Sequence, residues 1–307
     1  MRGMLGYGLI LLAVGVMAGL AWLYAPDKPR SVLEAEYARP PSVFVDALGV
    51  RVHVRDTGPR GAPAVVLLHG FASSLQTWDD WARDLERDHR VIRYDMPGFG
   101  LTGADPSGDY TDARAMAVLL ALLDRLGVAR ASLIGHSMGG RIAWSFASLH
   151  PERVDRLVLV SPDGFASAEL GYDEAPHVPL LMRALLYVLP SFLLRASLVP
   201  AYADKGMVSD ALFARYRDMM LAPGVRRAIV ARMGQQVLVD PVPLLRRIEA
   251  PVLLLWGERD RMIPFANSAD YLRALPHAEL AAVPGVGHVV QEEAPGSVAV
   301  VREFLDR

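Results

Sequence analysis

The stretch Ala131-Ser-Leu-Ile-Gly-His-Ser-Met-Gly-Gly140 carries the strongest structural signal in this chain. It opens as a short apolar run typical of a buried strand, passes through a G-x-S-x-G pattern over 135–139, and leads into a helical pattern over 138–149. This order predicts a sharp turn that presents Ser137 as a nucleophile. Small residues are needed two positions before and after the serine, because a strained turn crowds them together. The following helix would aim backbone N–H groups at developing negative charge.

Outward from this stretch, strand patterns alternate with helical patterns. The strand patterns lie at 50–55, 64–68, 90–95, 131–135, 157–160, 252–256 and 279–283, and the helical patterns at 111–126, 138–149, 265–274 and 295–306. Such alternation predicts an α/β fold with a mostly parallel sheet and helices on both of its faces. Residues 162–239 break the rhythm with helical patterns only, which predicts an inserted helical cap. Its most apolar part, 178–199, indicates either an underside packed on the core or a lid over an acyl-chain pocket.

A serine hydroxyl is a weak nucleophile until a base takes its proton. The chain has eight histidines, and His288 is the predicted base because it lies in a glycine-rich loop, Pro284-Gly-Val-Gly-His288, after the last predicted strand. The other seven are expected at structural or surface positions. Among them, His136 should point away from the adjacent Ser137, and His69 should be structural.

The predicted base needs a carboxylate to fix its tautomer and stabilise its cation. Asp260 follows the buried strand that ends in Trp256, and the chain between Asp260 and His288 has room for one helix and one strand. Asp260 is therefore the predicted acid, with Glu258 and Asp163 as the competing carboxylates. The predicted oxyanion donors are the backbone N–H groups of Phe71, in His69-Gly70-Phe71, and of Met138, directly after the nucleophile.

Composition excludes several classes of protein. With no cysteine, the chain has no disulfide, thiolate metal site or cysteine nucleophile. A formal net charge of −2 indicates no nucleic-acid partner. No H-E-x-x-H pattern or compact His/Asp cluster marks a metal site, so no metal and no cofactor are predicted. Residues 98–103 fit G-x-G-x-x-G, but a loop follows them where a dinucleotide site requires a helix.

The N-terminal residues 1–25 differ from the rest, since no charged residue lies between Gly3 and Pro26. About 20 helical residues cover a hydrocarbon layer of roughly 30 Å, so this segment is predicted to be a single-pass membrane anchor. A cleaved signal peptide, giving a secreted or periplasmic protein, is the alternative. Residues 26–42 are predicted to be a stiff extended linker. The core then comprises 43–161 and 240–307, with the cap at 162–239 between them.

Together these residues resemble the α/β-hydrolase superfamily over about 43–307. The matching pieces are Leu67-Leu-His-Gly-Phe71, Asp95-Met-Pro-Gly-Phe-Gly100, Gly135-His-Ser-Met-Gly-Gly140, His150-Pro-Glu-Arg-Val154, Trp256-Gly-Glu-Arg-Asp260 and Gly287-His288. They run in the family order of serine, aspartate and histidine. The resemblance implies an eight-stranded sheet and a serine acyl-enzyme mechanism without a cofactor. Dehalogenase-like and epoxide hydrolase-like relatives are disfavoured, because Ser137 fills the nucleophile position.

The chain looks most like the esterase and lipase-type members with a helical cap. The predicted function is therefore hydrolysis of a small-molecule carboxylic ester, and the anchor and apolar cap weakly favour a lipid-like one. Hydrolysis of a carbon–carbon or amide bond by the same fold is the first alternative. The carbon–carbon bond hydrolases of aromatic degradation are similar, although many have Asn where this chain has His136. A membrane-tethered binding protein with a hydrolase-like fold is the second alternative.

Overall fold

The computed structural model of this 307-residue chain describes residues 23–166, 171–174 and 176–307, together with the isolated positions Tyr7, Val14, Gly15, Met17 and Gly19. The predicted anchor or signal segment over 1–25 falls almost entirely outside these residues. Over the part of the chain that the structure describes, no helix is both long and apolar enough to cross a membrane. The predicted single-pass anchor and membrane localisation are therefore not borne out over the described residues. That prediction relied on the apolar length of the sequence, which does not by itself establish a continuous helix of that length.

The segment 26–42, predicted to be an extended linker, contains a helix, α1 (Arg30–Tyr37). Its sequence is rich in residues with good helix propensity, such as leucine, alanine and glutamate. Leu33 is buried, and the backbone N–H of Lys28 donates to the carbonyl of Leu221 at 2.8 Å. The segment therefore packs along the body of the molecule, and the expectation of an extended tether is wrong for residues 30–37.

The sheet begins with a hairpin of two strands, β1 (Ser42–Ala47) and β2 (Val50–Thr57). Leu48 and Gly49 connect them with positive φ at both positions, 53° and 79°, as a two-residue hairpin turn requires. The predicted alternation in β2 holds only for its first three residues, where Val50 and Val52 are buried and Arg51 is exposed; His53 is buried as well. The sequence pattern did not reveal β1.

Six parallel strands complete the sheet: β3 (Ala64–Leu68), β4 (Arg90–Tyr94), β5 (Ala131–His136), β6 (Val154–Val160), β7 (Val252–Gly257) and β8 (Ala278–Val283). The eight strands lie in the order β1-β2-β4-β3-β5-β6-β7-β8, and β2 is antiparallel to both of its neighbours. The predicted mostly parallel eight-stranded sheet is confirmed. The nucleophile strand β5 lies at its centre.

The remaining helices are α2 (Asp79–Leu85), α3 (Asp112–Arg125), α4 (Met138–Leu149), α5 (Ser191–Leu198), α6 (Asp210–Met220), α7 (Val225–Gln235), α8 (Val242–Leu245), α9 (Ser268–Ala274), α10 (Val290–Glu293) and α11 (Val298–Leu305). Short 3₁₀ helices lie at Leu75–Trp78, Pro151–Arg153, Leu180–Leu186, Val199–Ala201, Lys205–Met207, Phe265–Asn267 and Pro295–Ser297. Alternate strand residues enter two apolar clusters. Val65 and Leu67 face α2 and α11, whereas Val66 and Leu68 face α3 and α4. This period of two buries both faces of the sheet.

The described residues between β6 and β7 form helices and isolated bridges, with no strand. Within them, α6 and α7 supply buried side chains such as Met219, Ile229 and Arg232. The most apolar part behaves differently, because Leu180 and Leu181 are 77% and 75% exposed. Its apolar character therefore does not arise from packing on the core along its whole length.

Candidate active site

Ser137 occupies the turn between β5 and α4, with φ 53° and ψ −121°. Positive φ is uncommon for a residue with a side chain and stores strain. An ideal Cβ on Gly135 would lie 2.3 Å from the carbonyl oxygen of Gly139, and one on Gly139 would lie 2.3 Å from that of Leu68. Only a hydrogen atom fits at either glycine. This crowding is the steric reason for the G-x-S-x-G pattern.

His288 and Asp260 lie in the loops after β8 and β7, and they form a buried hydrogen-bonded pair. His288 Nδ1 donates to Asp260 Oδ2 at 2.7 Å, and the two residues are 3% and 7% exposed. Asp260 Oδ1 accepts the backbone N–H groups of Met262 and Ile263 at 2.8 and 2.9 Å. The carboxylate is thus fixed from both sides. With its proton on Nδ1, the imidazole keeps a lone pair on Nε2 for a base to use.

Two glycines let these loops approach each other. An ideal Cβ on Gly257, the last residue of β7, would lie 2.1 Å from the carbonyl oxygen of Gly287. The residue before His288 therefore touches the end of the strand that leads to Asp260. A larger residue at position 257 would push the two loops apart.

Neither competing carboxylate contacts His288. Asp163 forms an ion pair with Arg141 of α4, and its backbone N–H donates to the carbonyl of Ser137 at 3.1 Å. Glu258 is exposed. Of the three carboxylates considered from the sequence, the structure brings only Asp260 to the predicted base.

His136, the residue before Ser137, contacts His288 at the carboxyl edge of the sheet. The rings of His136 and His288 lie 4.7 Å apart between centroids, and His136 Nε2 donates to the backbone carbonyl of His288 at 3.0 Å. Ser137 is partly exposed. Within the described residues Ser137 Oγ forms no hydrogen bond with His288, as is common in free enzymes whose catalytic contacts tighten on binding substrate. The roles of the three residues remain predictions.

The predicted oxyanion donors are the backbone N–H groups of Phe71 and Met138. Met138 is the first residue of α4, where a backbone N–H has no acceptor within the helix. Gly70 brings the other donor close, since its ideal Cβ would lie 3.3 Å from Ser137 Cβ. The two predicted donors thus come from different parts of the chain, the loop after β3 and the start of α4.

His69 fixes the orientation of the Gly70–Phe71 peptide. Its Nε2 accepts the backbone N–H of Met96 at 3.0 Å, so its proton lies on Nδ1, which donates to the carbonyl of Gly70 at 2.8 Å. Because the C=O and N–H of a trans peptide point in opposite directions, this bond also fixes the direction of the Phe71 N–H. Burial lowers the pKa of His69 below its ordinary value of 6.5, consistent with a neutral ring.

Sequence reasoning missed the contacts of His136. The pattern predicted only that its side chain would point away from Ser137. No signal in the sequence could reveal its bond to His288, because that bond depends on two loops that approach each other only in the folded chain.

The glycine-rich segment 98–103, which fits the G-x-G-x-x-G pattern, forms a closed loop. The backbone N–H of Gly98 donates to the carbonyl of Gly103 at 2.7 Å, and the next helix begins only at Asp112. This is not the helix N-terminus on which a dinucleotide pyrophosphate binds. Among the residues described here, no group of three or more His, Asp or Glu side chains is arranged to hold a metal ion.

Comparison with known proteins adds independent evidence. A family model described as "alpha/beta hydrolase fold" matches residues 63–295. A putative 2-succinyl-6-hydroxy-2,4-cyclohexadiene-1-carboxylate synthase of Bacillus subtilis is 33% identical, over 84% of this chain and 95% of that protein. A 2-hydroxy-6-oxononadienedioate/2-hydroxy-6-oxononatrienedioate hydrolase of Burkholderia vietnamiensis is 31% identical, over 87% and 94%. A solved structure described as a membrane phospholipase A has 26% identity and a TM-score of 0.73, covering 99% of this chain and 98% of that one.

The relatives named as dienoate hydrolases contradict the predicted function. Five further relatives, 28–31% identical, are also named as hydrolases of 2-hydroxy-6-oxo acids, whereas the sequence predicted an esterase or lipase. The motifs could not separate the two, because both reactions begin with attack on a carbonyl and need the same nucleophile, base and oxyanion donors. The family resemblance was correct and the choice of scissile bond was wrong.

Proposed function

The chain belongs to the alpha/beta hydrolase fold family and is a hydrolase of that fold, and on this premise we propose that it cleaves a carbon–carbon bond in a 2-hydroxy-6-oxo dienoic acid. One observation carries the proposal: a Ser137–His288–Asp260 arrangement lies in a chain that is 31% identical, over 87% of its length, to a hydrolase named for that substrate class.

The proposed reaction starts at the C6 carbonyl of the substrate. Ser137 Oγ adds to C6 while His288 Nε2 takes the serine proton, and Asp260 stabilises the resulting imidazolium. The C6 oxygen becomes an oxyanion, to which the N–H groups of Phe71 and Met138 donate. Up to this point the chemistry is that of any acyl transfer by a serine enzyme.

The leaving group distinguishes the proposed reaction from ester hydrolysis. In the 2-oxo tautomer of the substrate, C5 already carries the proton that the 2-hydroxyl group released. When the C5–C6 bond breaks, its electron pair passes through the conjugated chain to the C2 oxygen, which takes the proton from His288. The products are a 2-hydroxydienoate and an acyl group on Ser137. Water, deprotonated by His288, then releases the acyl group as a carboxylic acid.

Paired substrates test this proposal. Wild type and Ser137→Ala would be given 2-hydroxy-6-oxo-6-phenylhexa-2,4-dienoate and, separately, p-nitrophenyl butyrate. We expect the wild type to bleach the dienoate absorbance and release benzoate, with kcat/KM above that for the ester, and the variant to lose both activities. A wild type that leaves the dienoate intact, or that prefers the ester, would overturn the assignment of the scissile bond.

A further inference from the structure

His136 has a neutral ring with a defined tautomer. Its Nε2 lies 3.0 Å from the backbone carbonyl of His288, and because a carbonyl only accepts, Nε2 carries the proton. Burial lowers the pKa of His136 well below 6.5, and the neighbouring His288 and His69 lower it further. The ring is 4% exposed. The remaining nitrogen, Nδ1, is buried and has no hydrogen-bond partner among the described residues.

The same ring contacts the loop after β3, which carries Phe71, one of the two predicted oxyanion donors. An ideal Cβ on Gly70 would lie 2.8 Å from His136 Nδ1 and 3.1 Å from Cε1, so the ring edge packs directly on the Gly70 backbone. On its other side the ring faces His288 at 4.7 Å. One imidazole, carried by the residue before Ser137, therefore contacts two parts of the site that come from distant positions in the sequence: the loop after β3 and the loop of the predicted base.

We infer that His136 is a positioning residue, which holds the loop of His288 at the distance from Ser137 that proton transfer requires. The inference rests on the proposed roles of Ser137 and His288. The hydrogen bond from Nε2 fixes the main chain of the base, while the bond from Nδ1 of His288 to Asp260 fixes its side chain. Two anchors, one on each part of the residue, leave the imidazole of His288 little freedom to move.

His136 itself is poorly placed to serve as the base. Its protonated nitrogen is committed to the carbonyl of His288, and its free nitrogen faces the backbone of Gly70. Its neutral state also matters, because His288 becomes cationic during the proposed reaction. A second cation 4.7 Å away would oppose that step.

Three substitutions separate the effect of the hydrogen bond to His288 from the effect of the ring volume. The amide of His136→Gln reaches the position of Nε2 and can donate to the same carbonyl. His136→Asn is too short to do so, and His136→Phe keeps the ring volume without a donor. The readout is the rate at which a fluorophosphonate ester labels the full-length protein. In that reaction Ser137 Oγ forms a bond to phosphorus, fluoride leaves, and His288 takes the serine proton.

We expect His136→Gln to label within about threefold of wild type, and the Phe and Asn variants to label about 10- to 100-fold more slowly, because a misplacement near 1 Å can cost a factor of about 100. The pH dependence of labelling should keep a single ionisation in every variant. Equal rates in all three variants would overturn the inference. So would loss of the ionisation in the Phe variant, since that would make His136 the base.

Two controls complete the design. His150→Phe alters a histidine at the far end of α4, whose ring lies 4.7 Å from Phe146, and should label at the wild-type rate. Ser137→Ala should not label; if it does, the proposed site fails independently of His136. Melting temperatures are recorded for each variant. If the Phe variant does not fold, the contrast between Gln and Asn still decides.

Discussion

The part of the chain that the structure describes contains two buried His–Asp pairs, and each has a serine nearby. His288 and Asp260 join at 2.7 Å, and His53 and Asp95 join at 2.8 Å through the same nitrogen, Nδ1. In the second pair, His53 Nε2 also lies 2.9 Å from the hydroxyl of Ser42. By these distances alone, the second group is the more complete of the two triads.

The surroundings of the two serines differ. Ser42 begins the edge strand β1, and its Oγ already accepts a hydrogen bond from Arg55 Nε at 2.9 Å. Ser137 lies at positive φ directly before a helix N-terminus, and the backbone of Gly70 approaches its side chain. On the proposed mechanism, the comparison teaches that a Ser–His–Asp contact alone does not define an active site. A strained turn and donors for an oxyanion are also needed.

The largest expected effect would test this comparison directly. Ser137→Ala should lower kcat on the dienoate by at least about a thousandfold, because it removes the attacking atom. Ser42→Ala, the matched control, should keep kcat within about threefold. Steady-state kinetics on both purified variants would measure this. A large loss in the Ser42 variant would mean that the second group takes part in the reaction.

Amide substitution of the two aspartates should separate their roles. In Asp260→Asn the amide group would face His288 Nδ1 and favour the wrong tautomer, so we expect kcat to fall by up to about 10⁴-fold with little change in the free energy of unfolding. Asp95→Asn should instead lower the free energy of unfolding by about 3 kcal/mol. The two carboxylate oxygens of Asp95 accept the backbone N–H groups of Leu75 and Leu101, both at 2.7 Å. In the asparagine variant one of these oxygens is replaced by an NH₂ group, a donor that would face a backbone N–H. Urea titration and kinetics together would check both outcomes, and the reverse pattern would disprove the distinction.

The nucleophile turn offers a sharper test of strain. In Gly139→Ala the new methyl group would meet the carbonyl oxygens of Leu68 and His69 at 2.3 and 2.5 Å. We expect a loss of about 2 kcal/mol in the free energy of unfolding and reduced activity, because the backbone must move. Gly61→Ala is the control, since nothing lies within 4 Å of its ideal Cβ. Equal stability of the two variants would argue against crowding at the turn.

The smallest expected effect concerns pH. Burial would raise the pKa of Asp95, but His53, His69 and the backbone N–H of Leu75 lower it below the ordinary value of 3.8. A carboxyl whose pKa is depressed on folding stabilises the protein above its unfolded pKa, and this contribution is lost as pH falls through the folded pKa. The stability difference between wild type and Asp95→Asn should therefore be constant above about pH 5 and shrink below pH 3.8. Urea titrations at several pH values would measure it, and a difference that grows on acidification would contradict the assignment.

The sequence revealed much of the fold because its central strands are short apolar runs bounded by turns. It also pointed to Asp260 and His288, since each follows a recognisable strand on the side where parallel strands open. It did not reveal β1, whose burial lacks a clean alternation, or α1, whose helical propensity was obscured by the surrounding prolines. The contacts of His136 and the second His–Asp pair could not be predicted from the sequence, because both involve residues that only the fold brings together.

The order of strands has a consequence for the synthesis of the protein. The nucleophile turn and both oxyanion donors leave the ribosome before the cap, whereas Asp260 and His288 follow the cap and come with β7 and β8. These two strands lie together at one edge of the sheet, so they can dock on a preassembled centre without displacing any strand. A nascent or truncated chain would thus expose a serine with no base beside it. On the proposed mechanism, reactivity would appear only in chains that have been translated through His288.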